Sequence, residues 1–507
     1  PYHLSAGFDK YFTKSGPRLN KLTKKITAKT IITVDQLSFS LFNIFKHYNI
    51  EIMKKITVVL FLISVFLIGF LPVKDTDFGW HYRCGNQFIT TGKLCLTNEF
   101  SYFLPNYQAY YPGHLYDILI AFIFDHWGFL GMSFVGSIIF SLTALVFLKL
   151  INNVRLSLIA YFISFVLSYP TLSLGLRPQI ITYLFFLVLL LALESKNKKV
   201  FFLIPILFLF WVNLHIGFFV GLIVLIFFIF SNNKLISLPQ KLLVIFISFL
   251  TTLINPFGIN VYVEIFNHST SPLGTMIAEW VRPSPLHLFL ITSLTIIGLI
   301  IISKKKPINL FYLLILVFFC FLSLNARRNL PFFYPIFFYV IKDSFKSLKK
   351  LSDEIIIPIL CSTIIFTFVI YVPQTKKFNT SWTEYCHKSS TTYPCQAIEK
   401  FPQLTGNVFN TYEWGGFLIL KKPNIKVFVD GRMPAWQDAN GKSPYQVFLD
   451  IIQTKPGWNE KLNKWKTDYL LIINGTFLDL LLQKEAKRYG WKEKYRDNIA
   501  VIYKNNN

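Results

Sequence analysis

The stretch that decides the architecture is residues 53–85, MKKITVVLFLISVFLIGFLPVKDTDFGWHYRCG. Ile56 to Leu71 carries no charge and comes close to the roughly 18–20 apolar residues that a helix needs to cross a hydrocarbon core. The next residues set Asp75, Asp77, His81 and Arg83 where that helix would leave the bilayer. Ionisable groups at that depth are costly, so a partner or a task is expected for them.

The rest of the chain repeats the apolar pattern. With 53% hydrophobic and 15% charged residues over 507 positions, it is too apolar for an ordinary soluble globule. The formal charge of +25 invites a nucleic-acid reading. Its Lys and Arg residues sit instead in short runs between apolar segments, and no basic stripe interleaved with aromatics marks a nucleic-acid groove. The expected partners are therefore membrane lipids and not nucleic acid.

The expected fold class is a polytopic α-helical membrane protein of about eleven transmembrane helices with a C-terminal extracytoplasmic α/β domain. Hydropathy places the spans near 55–72, 131–150, 156–174, 178–194, 200–213, 216–231, 240–254, 286–302, 308–324, 330–342 and 355–372. Putting Lys54 and Lys55 inside leaves Lys149, Lys196 to Lys199, Lys234, Lys304 to Lys306 and Lys342 to Lys350 on the same side. The N-terminus is then inside and the tail outside. Residues 73–130 become a first outer loop, whose second half, HLYDILIAFIFDHWGFL, reads as a helix lying at the interface.

Three regions follow. Residues 1–52 read as an N-terminal extension, disordered or foreign to the native chain, with an amphipathic arm over LSFSLFNIFKHYNIEI as the alternative. Residues 53–373 form the membrane domain and 374–507 the outer domain. In the latter, IKVFVDG, DYLLIIN and NIAVIYK read as strands, and SPYQVFLDIIQ and FLDLLLQKEAKRYG as helices between them. No GxGxxG or P-loop motif supports a nucleotide site. Cys84 with Cys95, and Cys386 with Cys395, are close pairs on the oxidising side and are expected to form disulfides; Cys320 and Cys361 fall inside spans.

On this topology the polar residues gather at the outer face: Asp75, Asp77, His81 and Arg83; His114 and Asp117; Arg177 and Gln179 in LRPQ; His215 in VNLHIG; Glu279 in AEWVRP; Arg327 and Arg328 in NARRN. Each has a structural alternative, an arginine as a membrane anchor or a histidine bonded to backbone. Together they suit a site that holds an anionic phosphate and keeps a carboxylate for proton transfer.

DTDFGWHYRCGNQFITTGKL, followed by YYPGHLYDILIAFIF, resembles the first outer loop of the GT-C membrane glycosyltransferases. That superfamily includes protein O-mannosyltransferases, lipid-A aminoarabinose transferases and oligosaccharyltransferases. The segments RPQ, WVNLHIGFFVG, NPFG, EW and DGR, with the α/β tail, are similar to a bacterial group of this type. The resemblance implies transfer of a sugar from a polyprenyl-phosphate donor to a glycan, lipid or protein acceptor, at the outer face of a bacterial cytoplasmic membrane. It implies that an acidic residue of the loop is catalytic, here Asp77 or Asp75, in an Asp-Thr-Asp arrangement that replaces the family's Asp-Glu pair. It further implies a divalent cation, Mg or Mn, in some members, for which Asp75 and Asp77 are the matching ligands. His81, Arg83, His114, Asp117, Arg177, Gln179, His215, Glu279, Arg327 and Arg328 are the substrate-binding candidates. The competing readings are a polymerase or ligase of lipid-linked glycans, and a non-catalytic scaffold or transporter; a transporter should show paired halves with broken helices, which the sequence lacks.

The topology has a direct test: reporter fusions at Lys306 and Lys422 are expected to lie on opposite sides of the membrane, and two cytoplasmic signals would refute the arrangement.

Overall fold

The structure, a computed structural model, describes residues 50–271, 277–345, 393–438 and 440–506. The chain divides into two compact units, Pro1–Leu60 and Phe61–Asn507. The extension 1–49, the expected span 355–372, Cys361 and Cys386 lie outside the described residues. In the first unit the described part is the start of helix α1 (Ile50–Gly69).

Hydropathy and helices coincide closely in the second unit. After α1 come α2 (Phe78–Thr91), α3 (His114–Ile151), α4 (Val154–Leu172), α5 (Pro178–Leu193), the single turn α6 (Lys198–Phe201), α7 (Ile204–Leu214), α8 (Phe218–Phe227), α9 (Leu238–Thr252), α10 (Val261–Thr270), α11 (Pro285–Ser303), α12 (Leu310–Asn325) and α13 (Leu330–Ile341). Their starts are written in the sequence. Pro178, Pro205, Pro239, Pro285 and Pro331 occupy first-turn positions, where the missing N–H costs nothing. Two helices, His114–Ile151 and Pro285–Ser303, are long and apolar enough to cross a membrane alone; six shorter apolar helices run from 10 to 17 residues. Helix α3 joins the expected interfacial segment to the expected span, and Gly128, with φ 59° and ψ −153°, breaks the helix between them. Its first half turns Asp117 inward while Leu119, Phe122 and Trp127 stay exposed.

The tail is a five-stranded mixed sheet in the order β2-β1-β3-β5-β4, built from β1 (Gly406–Asn410), β2 (Ile425–Val427), β3 (Tyr469–Ile473), β4 (Trp491–Arg496) and β5 (Ala500–Asn505). β1 runs parallel to β2 and β3, while β5 is antiparallel to β3 and β4. The parallel strands are connected by helices, as the crossover geometry demands: α15 (Gly415–Lys421) links β1 to β2, and α16 (Pro444–Ile452) with α17 (Trp458–Lys464) links β2 to β3. α14 (Cys395–Lys400) precedes the sheet, and α18 (Phe477–Glu485) leads to the β4–β5 hairpin. Ser443 starts α16 with a capping box to Gln446. Alternation along the strands splits the core in two. Val408, Leu471 and Ile502 face α14 and α15; Phe409, Leu470 and Val501 face α16 to α18.

This tail does not keep its core to itself. Trp80 and Cys84 of α2 belong to the first cluster, and Phe103 from the loop after α2 belongs to the second. The same loop extends the sheet edge: Val427 N donates to the Phe100 carbonyl at 3.0 Å and Tyr102 N to the Val427 carbonyl at 3.2 Å. The Cys84–Cys95 disulfide, with Cα atoms 5.4 Å apart, ties α2 to that loop. Cys395 is also disulfide-bonded, and Cys320 is free. The loop and tail, 300 residues apart in expectation, thus fold as one body. Their closest approach is backbone to backbone: a Cβ on Gly79 of α2 would overlap the carbonyl of Gly416 at the start of α15, and a Cβ on Gly416 would overlap that of Thr76.

Gly79→Ala is therefore expected to force the tail off α2, with a cost of about 1–3 kcal/mol or more, since overpacking without room to relax is destabilising. Thermal unfolding and faster proteolysis of the tail measure it; unchanged values would show that the contact has slack.

Candidate functional site

A cavity of about 610 Å³ opens between the outer ends of the helices and the tail. The short segment between α1 and α2 crosses it. Asp75 accepts the Asp77 backbone N–H on Oδ1 at 3.2 Å, and its Oδ2 lies 3.3 Å from Arg177 Nε. Arg177, the residue before α5, donates through its guanidinium to Glu279 Oε1 at 2.5 Å. One buried arginine thereby bridges carboxylates from two distant segments. Burial works to raise the Glu279 pKa, but Arg177 and Arg328 outweigh it and hold the carboxyl below its ordinary value.

Asp77 sits at the start of α2 and is the exception among these acids. Burial, then the neighbouring Asp75, raises its pKa to about 7 against the opposing pull of His81 and Arg177; Asp430 adds to the rise. Its carboxylate lies against Gly431, where any Cβ would overlap Oδ1. That glycine belongs to the tail. Asn410 at the end of β1 accepts Phe428 N at 2.8 Å and donates to the Val429 carbonyl at 2.8 Å, which steers Asp430-Gly431-Arg432 into the cavity wall. Arg432 grips Asp430 with Nε at 2.8 Å and a guanidinium nitrogen at 2.6 Å, close to Trp80, Phe100 and Trp436.

His81 points its Nδ1 at Asp117 Oδ1, 2.6 Å away, with its ring stacked on Trp80. A carboxylate only accepts, so Nδ1 carries a proton. His114 stands behind, with Nδ1 3.7 Å from the other Asp117 oxygen. The expected proximity of Asp77 and His81 is present along the backbone, where His81 N donates to the Asp77 carbonyl at 3.3 Å; the side chain itself is committed to Asp117. On the far wall Arg328 stacks over Trp280 at 4.3 Å. Neither Arg327 nor Arg328 has a carboxylate within ion-pair distance among the described residues.

Asp75, Asp77, His81, Arg177, Gln179, His215, Glu279, Arg327 and Arg328 all line the cavity. Arg83, His114 and Asp117 do not. Arg83 follows His81 by two residues, about 200° around a helix, and so faces away; Asp117 and His114 lie behind His81. The sequence-derived set omitted Glu264 and His268 of α10, which are 3.2 Å apart, and Tyr412, Glu413, Arg432 and Trp436 of the tail. The i,i+4 spacing of Glu264 and His268 was a readable signal; the tail residues had none beyond the DGR turn. Trp80 Nε1 and Tyr111 Oη are buried with no hydrogen-bond partner among the described residues.

A hard divalent cation wants six or more oxygens. Among the described residues no three His, Cys, Asp or Glu converge, and Asp75 is held by Arg177. The described residues do not fit a metal.

No protein-family model and no curated protein sequence matches this chain. The archaeal oligosaccharyltransferase AglB of Archaeoglobus fulgidus, solved with an inhibitory peptide and a dolichol-phosphate, superposes with a TM-score of 0.54 at 11% identity, over 89% of this chain and 74% of that one. The likeness is one of overall fold. The oligosaccharyltransferase of the same organism in its apo form gives a TM-score of 0.48, also at 11% identity over 89% and 74% of the two chains.

Arg177→Met should leave Asp75 and Glu279 facing each other without a counter-charge, at a cost of about 3–5 kcal/mol. Adding Glu279→Gln should restore part of it. Chemical or thermal unfolding of both variants measures this, and strict additivity would show that the bridge is not a unit.

Proposed function

We propose that this protein is an integral-membrane glycosyltransferase, moving a sugar from a polyprenyl-phosphate donor to a hydroxyl of an extracytoplasmic glycan, lipid or protein acceptor. The observation that carries the proposal is Asp77: a carboxyl with a pKa raised to about 7, in a cavity that Arg327 and Arg328 also line. The fold supports it, as do the exposed apolar side chains of the helices, such as Phe134, Phe289 and Phe321, which suit lipid and not water. The helices would span a bacterial cytoplasmic membrane about eleven times, N-terminus in, with the tail outside.

Transfer proceeds as follows. The acceptor oxygen bonds to the anomeric carbon while the bond from that carbon to the phosphate oxygen breaks. The hydroxyl proton passes to Asp77, and Arg327 and Arg328 stabilise the charge on the departing polyprenyl phosphate. Asp75 and Arg177 hold the Asp77 segment in place, and their ion pair keeps the second carboxylate from acting as a competing base. The donor's lipid remains in the bilayer while the acceptor enters from water through the tail side, which explains why a base is placed at the outer end of α1.

Asp77→Asn keeps the shape and removes the proton acceptor, and should lower turnover by about 10²- to 10⁴-fold. A base with a pKa of about 7 works when deprotonated, so wild-type activity should rise with pH through that value. Asp75→Asn removes a like charge and leaves Arg177 nearby, so the rising limb should move to lower pH. Release of polyprenyl phosphate from a labelled lipid-linked sugar reads both effects; wild-type turnover in Asp77→Asn would dismiss the assignment.

A further inference from the structure

The hairpin between α7 and α8 holds a polar network that the proposed chemistry has not used. Trp211 Nε1 donates to Thr182 Oγ1 at 2.9 Å, and Thr182 Oγ1 lies 2.7 Å from His215 Nδ1. Gly217 N donates to the same Nδ1 at 3.1 Å. The directions are forced. The Gly217 backbone N–H can only donate, so Nδ1 is the unprotonated nitrogen. The Thr182 hydroxyl, which accepts the indole N–H, must then turn its own hydrogen to Nδ1. Two donors therefore converge on Nδ1. The proton of neutral His215 is fixed on Nε2. A Cβ at position 217 would crowd both Nδ1 and Thr182, so glycine is required there. The segment WVNLHIG supplies three of the four members of this device.

His215 is buried and lines the cavity, and no hydrogen bond to its Nε2 is found among the described residues. Its surroundings are cationic. Arg328 lies near it, as do Arg177 at the head of α5, His81 of α2 and His268 of α10. Burial first, and these charges next, push its pKa well below the ordinary histidine value. A second positive charge is thus not added beside Arg328; a neutral N–H is. His81 presents the reverse at Nδ1, which donates to Asp117. The Nδ1 atoms of His81 and His215 are thus held in opposite roles, the first donating and the second accepting.

We propose that His215 is a fixed, neutral hydrogen-bond donor to a phosphate oxygen of the lipid-linked donor, working beside Arg328, with Thr182 and Trp211 as the residues that position it. The assignment rests on the glycosyltransferase reading only for the lipid; the chemistry it recognises is a phosphate oxyanion, in the donor's diester and in the departing monoester alike. A donor that never titrates gives the departing phosphate the same hydrogen bond before and after its charge grows, and it cannot take the acceptor's proton away from Asp77.

Nitrogen-15 NMR of histidine-labelled protein in lipid bilayers reads the tautomer directly, with the His215 signals identified by their loss in His215→Gln. The expected result is a protonated Nε2 and an unprotonated Nδ1 from pH 6 to 8. Thr182→Val should shift the Nδ1 resonance without protonating it, because Gly217 still donates, and Thr182→Ser should restore it. Binding of a short-chain polyprenyl monophosphate and of inorganic phosphate completes the test. His215→Phe should weaken polyprenyl phosphate by about 10- to 100-fold, the range for a hydrogen bond to a charged group, while His215→Gln, which keeps an N–H near Nε2, should stay within a few-fold. A proton on Nδ1, an imidazolium in that pH range, or unchanged affinity in His215→Phe would overturn the proposal. If inorganic phosphate binds through His215 and the polyprenyl ester does not bind, the oxyanion site stands and the lipid-donor reading fails. If neither binds the wild-type protein, both fall.

Discussion

Everything at the outer face depends on how closely helix α2 and the tail approach at Gly79 and Gly416. Neither position has room for a Cβ, because the carbonyl of one partner occupies the space. Such an approach sets two backbones at a distance no side chain could mediate, and it does so one turn from Asp77. The tail's Asp430-Gly431-Arg432 turn consequently closes over that carboxylate, and Trp80 becomes part of the tail's own core. A looser contact would leave Asp77 in water, with an ordinary acid's affinity for its proton.

Buried charge gives the site its second constraint. A carboxylate or guanidinium removed from water needs a partner in good geometry. Asp75 and Glu279 share Arg177, Asp430 takes Arg432 in a forked pair, and Asp117 takes His81. These pairs consume most of the charge that the cavity wall contains. Outside these pairs the cavity is also lined by Asp77, whose pKa is raised to about 7, by Glu413, and by Arg327 and Arg328, which have no carboxylate within ion-pair distance among the described residues.

The same partition runs through the whole molecule. The helices expose apolar side chains and carry few charges, the tail is a sheet with helices on both faces, and the polar residues are concentrated where the two meet. The resulting cavity lies at the junction between the apolar helices and the tail. Its position follows from solvent preference before any particular side chain is considered.

The sequence by itself determined the helices, their order and the polar character of one face, because hydropathy over 15–20 residues is a local property that tertiary contacts rarely reverse. It also marked strands β2, β3 and β5, whose apolar runs are buried in the sheet. It did not mark β4, WKEKYR, since an edge strand carries charges that hide it from a hydropathy reading, nor β1, GNVFN, which is short and begins with two turn residues. Of the site, the residues that terminate spans were legible, as a charge beside an apolar run stands out. Which of them face the cavity was not: Arg83 turns away by helix periodicity, and Asp117 works from behind His81. The contributions of Tyr412, Gly431 and Arg432 were decided by tertiary structure alone. They come from a part of the chain more than 300 residues beyond Asp77, and the glycine-to-glycine contact between α2 and α15, with Trp80 in the tail's core, brings them to it.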